Sequence, residues 1–139
     1  MKKIVLISLC LFVVLTGCEK IKTPPQDEPS MTDKFLTALA EAGLAVGGDN
    51  IVSIGGGMIG ADTGWKLTIG GETVEVYEYA SASPEDEKAL QFLSEIRANG
   101  KVTLYGFAVD AMLNKTLVLI NYGNHALKDK IIEAFTGVT

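Results

Sequence analysis

The stretch Trp65-Lys-Leu-Thr-Ile-Gly-Gly-Glu-Thr-Val-Glu-Val-Tyr-Glu-Tyr79 decides the fold. Gly70-Gly71 is a two-residue hairpin signal, because paired glycines supply the left-handed backbone that a tight antiparallel turn needs. Beyond it, Thr73 to Tyr79 alternates. Val74 and Val76 share one face of a strand, and Thr73, Glu75, Tyr77 and Tyr79 share the other. Trp65 to Ile69 is the partner strand.

On the N-terminal side, ten glycines fall within the 29 residues from Gly43 to Gly71, interleaved with Ile51, Val52, Ile54, Met58 and Ile59. That density excludes a long helix, which loses about 1 kcal/mol per interior glycine, and predicts strands with tight turns. Earlier still, Ser30 or Thr32 caps a first helix whose stripe is Phe35, Leu36, Leu39 and Ala42, and Gly43 stops it. On the C-terminal side, Ser83-Pro84-Glu85-Asp86 opens a second helix with Ser83 as its cap. Ala89, Phe92, Leu93 and Ile96 form its buried stripe, and Asn99-Gly100 ends it. Lys101 to Val109 and Lys115 to Tyr122 read as two more strands joined by Asp110 to Asn114. Asn124 caps a last helix carrying Leu127, Ile131, Ala134 and Phe135.

The order αββ(β)αββα predicts a two-layer α+β domain over residues 31–139. Its sheet is antiparallel-rich with four to five strands, and its helices lie on one face. Thr73 to Tyr79 and Thr116 to Tyr122 echo each other, as two ββα halves would.

Residues 1–17 read as an export signal, with Lys2 and Lys3 as a positive start and Ile4 to Leu15 as an apolar run of twelve residues. Leu15-Thr16-Gly17-Cys18 resembles the bacterial lipobox. That resemblance implies cleavage between Gly17 and Cys18, with a diacylglyceryl group on the Cys18 thiol. Residues 18–30 then form the lipidated terminus and a tether carrying Pro24, Pro25 and Pro29, which reaches about 35 Å when extended. Cys10 lies in the leader and Cys18 in the anchor, so the domain holds no disulfide, no cysteine nucleophile and no thiolate zinc site. Glu19 is not the aspartate that commonly retains lipoproteins at an inner membrane, so the expected address is the cell membrane or the outer membrane. Without Lys2 and Lys3 the 12 basic residues become 10 against 17 acidic ones. Such a balance gives no footprint for nucleic acid.

The segment Gly71-Glu-Thr-Val-Glu-Val-Tyr-Glu-Tyr79, with Pro84-Glu-Asp-Glu-Lys-Ala89 and Thr116-Leu-Val-Leu-Ile120, is similar to small bacterial lipoproteins. In these, G-E-x-V-x-V-Y-E-Y precedes a helix, a strand pair and a closing helix. The resemblance covers roughly residues 33 to 137 and implies a fold and a location but no reaction. Relatives carry a loop with proline and histidine before the penultimate strand, and Phe107 to Leu113 has neither.

The catalytic inventory is thin. Gly55-Gly-Gly-Met-Ile-Gly60 fits G-x-G-x-x-G, but a dinucleotide fingerprint needs a helix next, and a hairpin is expected instead. His125 is the one histidine and reads as a solvated neighbour of the Asn124 cap, so neither a triad nor a zinc site is expected. Glu75 and Glu78 point to opposite faces of their strand, and Asp49, Asp62 and Asp110 lack calcium-loop spacing. No metal or cofactor is therefore expected. Of the strand aromatics Trp65, Tyr77, Tyr79, Tyr105 and Tyr122, some must face the uncovered side of the sheet, and Trp65, Tyr77 and Tyr79 form the candidate binding surface, there or beside the glycine-rich segment 55–64. The expected function is a lipid-anchored, non-enzymatic module that binds an envelope protein or a small ligand. The alternatives are an envelope hydrolase using Asp62 and Asp110, or a structural spacer.

Metabolic labelling with a fatty acid should mark the wild-type protein and leave Cys18→Ser unmarked. Equal labelling of both would remove the anchor from the description.

Overall fold

Ser30 starts the first helix, α1 (Met31–Glu41), by accepting the Asp33 N–H at 3.0 Å on its hydroxyl. This holds in a computed structural model that describes residues 28–139. The lipobox, Cys18 and most of the tether lie outside the described residues. After a single 3-10 turn at Gly48–Asn50 come β1 (Ile51–Ser53), β2 (Thr63–Ile69) and β3 (Glu72–Glu78). Next are α2 (Glu87–Asn99), β4 (Lys101–Leu104), β5 (Phe107–Asn114), β6 (Leu117–Ile120) and α3 (Lys128–Thr136). One sheet of six strands runs in the order β1-β2-β3-β6-β5-β4, and every neighbouring pair is antiparallel.

The α+β class and the Gly70-Gly71 hairpin are as the sequence predicts, with Ile69 opposite Glu72. The strand count is larger. What reads as one strand over Lys101 to Val109 is broken at Tyr105-Gly106, where both residues have positive φ (50° and 82°) and turn the chain into a two-residue hairpin. The expected connection Asp110 to Asn114 is instead the second half of β5. Tyrosine is a poor turn signal, which is why the break is hidden in the sequence.

Helix placement also departs from the expectation. Phe35, Leu39, Ile131, Ala134 and Phe135 pack on Leu67, Ile69, Val74, Val76, Leu117 and Leu119, so α1 and α3 cover one face. Ala89, Leu93 and Ile96 pack on Tyr77, Tyr79, Val102, Ala111, Val118 and Ile120, so α2 covers the opposite face. The architecture is therefore three layers. All four residues of β6 are buried, as a strand sandwiched between helices must be. The helices that follow the two echoing strands lie on opposite faces, an arrangement that repetition of one ββα unit would not give.

Two caps differ from expectation. Asp86 rather than Ser83 caps α2, accepting the Ala89 N–H at 2.8 Å. Leu127 rather than Asn124 precedes α3, without a side-chain cap. The best-held helix end is that of α1, where the Glu78 carboxylate accepts the Met31 N–H (2.9 Å), the Thr32 N–H (3.1 Å) and the Thr32 hydroxyl (2.7 Å). A carboxylate at a helix N-terminus satisfies orphan donors and meets the positive end of the dipole. No helix among the described residues is long and apolar enough to cross a membrane.

Glu78→Ala should lower stability by about 2 kcal/mol, since bonds to a charged acceptor contribute about 1.5–3 kcal/mol and their donors would lose it. The midpoint of urea unfolding measures this. An unchanged midpoint would show that the three bonds contribute nothing.

Candidate functional site

The α2 face is only half covered. Beyond the end of the sheet that α2 covers, β2, β3, β6 and β5 form the floor of a cleft of about 430 Å³, lined there by Lys66, Glu75, Tyr77, Ile120 and Val109. One wall is the loop from β1 to β2, with Ile54, Gly55, Gly57 and Met58. The other is the β4–β5 hairpin, with Leu104, Tyr105 and Phe107, and Asn121 also lines the cleft.

The loop is shaped by glycine and anchored by one side chain. The Gly56 carbonyl accepts both the Ile59 N–H (3.1 Å) and the Ala61 N–H (3.0 Å), a tight turn in which a Cβ on Gly56 would collide with the Ala61 carbonyl. Ile59 is driven into the α2 layer, fully buried beside Tyr79, whose hydroxyl donates to the Ile59 carbonyl at 2.8 Å. At Gly64 a Cβ would lie 2.3 Å from the Gly55 carbonyl oxygen and 2.8 Å from the Tyr77 ring. Its absence lets the Gly55 carbonyl and the Tyr77 ring both approach the Gly64 backbone. The run Gly55 to Gly60 is thus a loop that leads into β2, with no helix to hold a pyrophosphate.

Apolar exposure concentrates at this cleft. Among the described residues the large exposed apolar side chains are Val52, Ile54, Met58, Leu90, Tyr105 and Phe107, and four of these line it. Tyr105 is 82% exposed and Phe107 73%. Val52 lies beside the cleft, opposite Lys66 in the sheet register. Clustered apolar exposure marks an interaction site, whereas scattered residues do not.

The polar groups of the floor are few. Lys66 and Glu75 are direct cross-strand partners. The Tyr77 hydroxyl donates to Glu75 Oε2 at 2.7 Å. Burial, and then the bond to Glu75, push the Tyr77 hydroxyl well above the usual tyrosine range, so it remains a donor.

Of the three predicted binding residues, only Tyr77 lines the cleft. Tyr79 lies on the same strand face but is buried under α2 and holds the loop. Trp65 points to the other face, among the α1 and α3 contacts. The one-residue step from Lys66 to Trp65 puts their side chains on opposite faces. Phe107, Lys66 and Asn121 were missed, and Tyr105 was read only as one more strand aromatic. Alternation through β5 could have placed Phe107 and Val109 together, but nothing local shows the Tyr105 turn.

The carboxylates proposed for hydrolysis do not converge. Asp62 accepts the Ala80 N–H at the start of β2, while Asp110 pairs with Lys101 Nζ at 3.0 Å on β5. Two strands, β3 and β6, lie between them. Asp49 sits exposed in the 3-10 turn. Among the described residues, no three His, Cys, Asp or Glu side chains are placed to hold a metal ion. His125 is buried at 7% exposure, not solvated. It donates from Nε2 to the Ile69 carbonyl and accepts the Leu127 N–H on Nδ1, both at 3.0 Å. Its role is to tie the entrance of α3 to the β2–β3 hairpin. No protein-family model, curated protein or solved structure matches the chain.

Burial pushes the Tyr79 hydroxyl up to about 12 from its usual 10. Below pH 10 the tyrosine is protonated in both folded and unfolded chains, and its contribution to stability is whole. As pH rises from 10 towards 12 the unfolded chain releases a proton that the folded chain retains, so that contribution is lost. Urea midpoints should therefore fall over this window, and Tyr79→Phe should flatten part of the slope. An identical slope in the variant would assign the fall elsewhere.

Proposed function

We propose that the protein is a lipid-anchored extracytoplasmic lipoprotein of the bacterial cell envelope, and that its domain is a non-enzymatic binding module whose ligand site is the cleft between segment 54–58 and the β4–β5 hairpin. The anchor is Cys18, exposed after cleavage behind Gly17, and it holds the domain to the cell membrane or outer membrane. The resemblance of the G-E-x-V-x-V-Y-E-Y segment to small bacterial lipoproteins supports this reading. One observation carries the binding reading: exposed apolar side chains from both walls of the cleft gather over a floor that combines Ile120 and Val109 with the polar groups of Lys66, Glu75 and Tyr77. That composition suits a ligand site of roughly 300–1,000 Å³. A hydrolase built on Asp62 and Asp110 has no support from their separate positions on the sheet.

A neutral environment-sensitive dye, Nile red, tests the cleft. The chain from residue 18 onward with Cys18→Ser keeps every described element and avoids acylation. It should bind the dye saturably at one site. Replacing Tyr105 and Phe107 together by alanine should weaken that binding about tenfold, equivalent to about 1.4 kcal/mol, with an unchanged Tm. Equal dye affinity in the double variant would show that the cleft is not the site.

A further inference from the structure

We infer that the cleft takes a small amphiphile with a carboxylate head and a flexible apolar chain, the chemistry of a medium-chain fatty acid, with Lys66 pairing the head and the two walls enclosing the chain. This rests on the binding reading of the cleft. Lys66 faces Glu75 directly across β2 and β3, where opposite charges ordinarily close into a pair. Here Glu75 is engaged instead by the Tyr77 hydroxyl at 2.7 Å, and Lys66 forms no ion pair among the described residues. In a chain whose acidic residues outnumber its basic ones, 17 to 12, an ammonium left without a carboxylate beside an apolar cleft complements an anion.

The rest of the cleft selects the class of anion. Asn121, whose backbone is left-handed with φ of 68°, also lines the cleft. One cation, Lys66, suits a single carboxylate, whereas a nucleotide's phosphates call for several donors. Ile54 and Met58 on one wall face Leu104, Tyr105 and Phe107 on the other, a slot for a slender chain. A peptide strand fits poorly. The floor strands β2, β3, β6 and β5 are each paired on both sides, so no free backbone edge is available to an added strand.

Calorimetric titration of decanoate, below its micellar concentration, into the chain from residue 18 onward with Cys18→Ser tests the inference. Decanoate should bind at one site, and decanol at least tenfold more weakly. Lys66→Met, which keeps an apolar stem, should weaken decanoate about tenfold and leave decanol unchanged, and Lys66→Arg should keep decanoate within about threefold. Equal binding of decanol and decanoate, tighter binding of decyltrimethylammonium, or no effect of Lys66→Met would each overturn the carboxylate assignment. If Nile red occupies the cleft but decanoate does not displace it, the ligand class is wrong and the binding site stands. If neither binds, the binding reading itself fails. Co-sedimentation with phosphatidylcholine vesicles that is lost when Tyr105 and Phe107 are replaced by alanine would assign the rim to a bilayer and overturn the small ligand.

Discussion

The pairing of β3 with β6 at the centre of the sheet is the constraint on which the rest depends. Tyr77 opposes Val118 on one face and Val76 opposes Leu119 on the other, so both faces are apolar and both need cover. Strands lie about 4.8 Å apart, so the outermost of six strands are about 24 Å apart, while one packed helix covers about 10 Å. Helices α1 and α3, in edge-to-face contact through Phe35 and Phe135 at 5.4 Å, cover most of one face. Helix α2 alone covers less than half of the other. The cleft is what remains, floored by a rigid sheet instead of being scooped from loops.

Rigidity extends to the walls. Ile59 and the Tyr79 hydroxyl pin the glycine loop to the α2 layer, and Lys88 Nζ holds the Gly57 carbonyl at 3.0 Å. The loop can therefore present Ile54 and Met58 without collapsing onto the floor. Glu75 and Tyr77 engage each other, so the polar part of the floor is ordered before anything arrives. A pre-ordered site loses less freedom on binding, and its few polar groups can then decide between head groups.

Much of the fold was legible because it is local. Hairpin glycines, strand alternation and the stripes of α1 and α2 each follow from residues within one turn or strand of one another. The β6 run Leu117-Val-Leu-Ile120 carried a further signal, since a strand apolar on both faces needs helices on both sides. What stayed hidden depends on distant approach. Glu78 caps a helix 46 residues earlier, and His125 is buried only because the β2–β3 turn, 56 residues away, comes to meet it. The candidate site was half legible. Tyr77 and the glycine loop were on the correct face, but Trp65 was joined to them although strand parity already sends it to the other side.

Tyr105 holds a backbone conformation that its side chain disfavours, with φ of 50°. A non-glycine residue in the left-handed region costs roughly 1–2 kcal/mol, and glycine or asparagine would cost less at this turn. A buried ring could offset that cost through packing, yet this ring is 82% exposed. Phe107 beside it leaves a second aromatic surface in water at the tip of a hairpin whose outer strand is a sheet edge, where exposed apolar groups invite aggregation. Neither ring is buried in the fold. On the proposed binding reading, an apolar chain seated in the cleft that both rings line would remove them from water. Tyr105→Gly would relieve the left-handed backbone and at the same time take an exposed ring from the wall of the cleft.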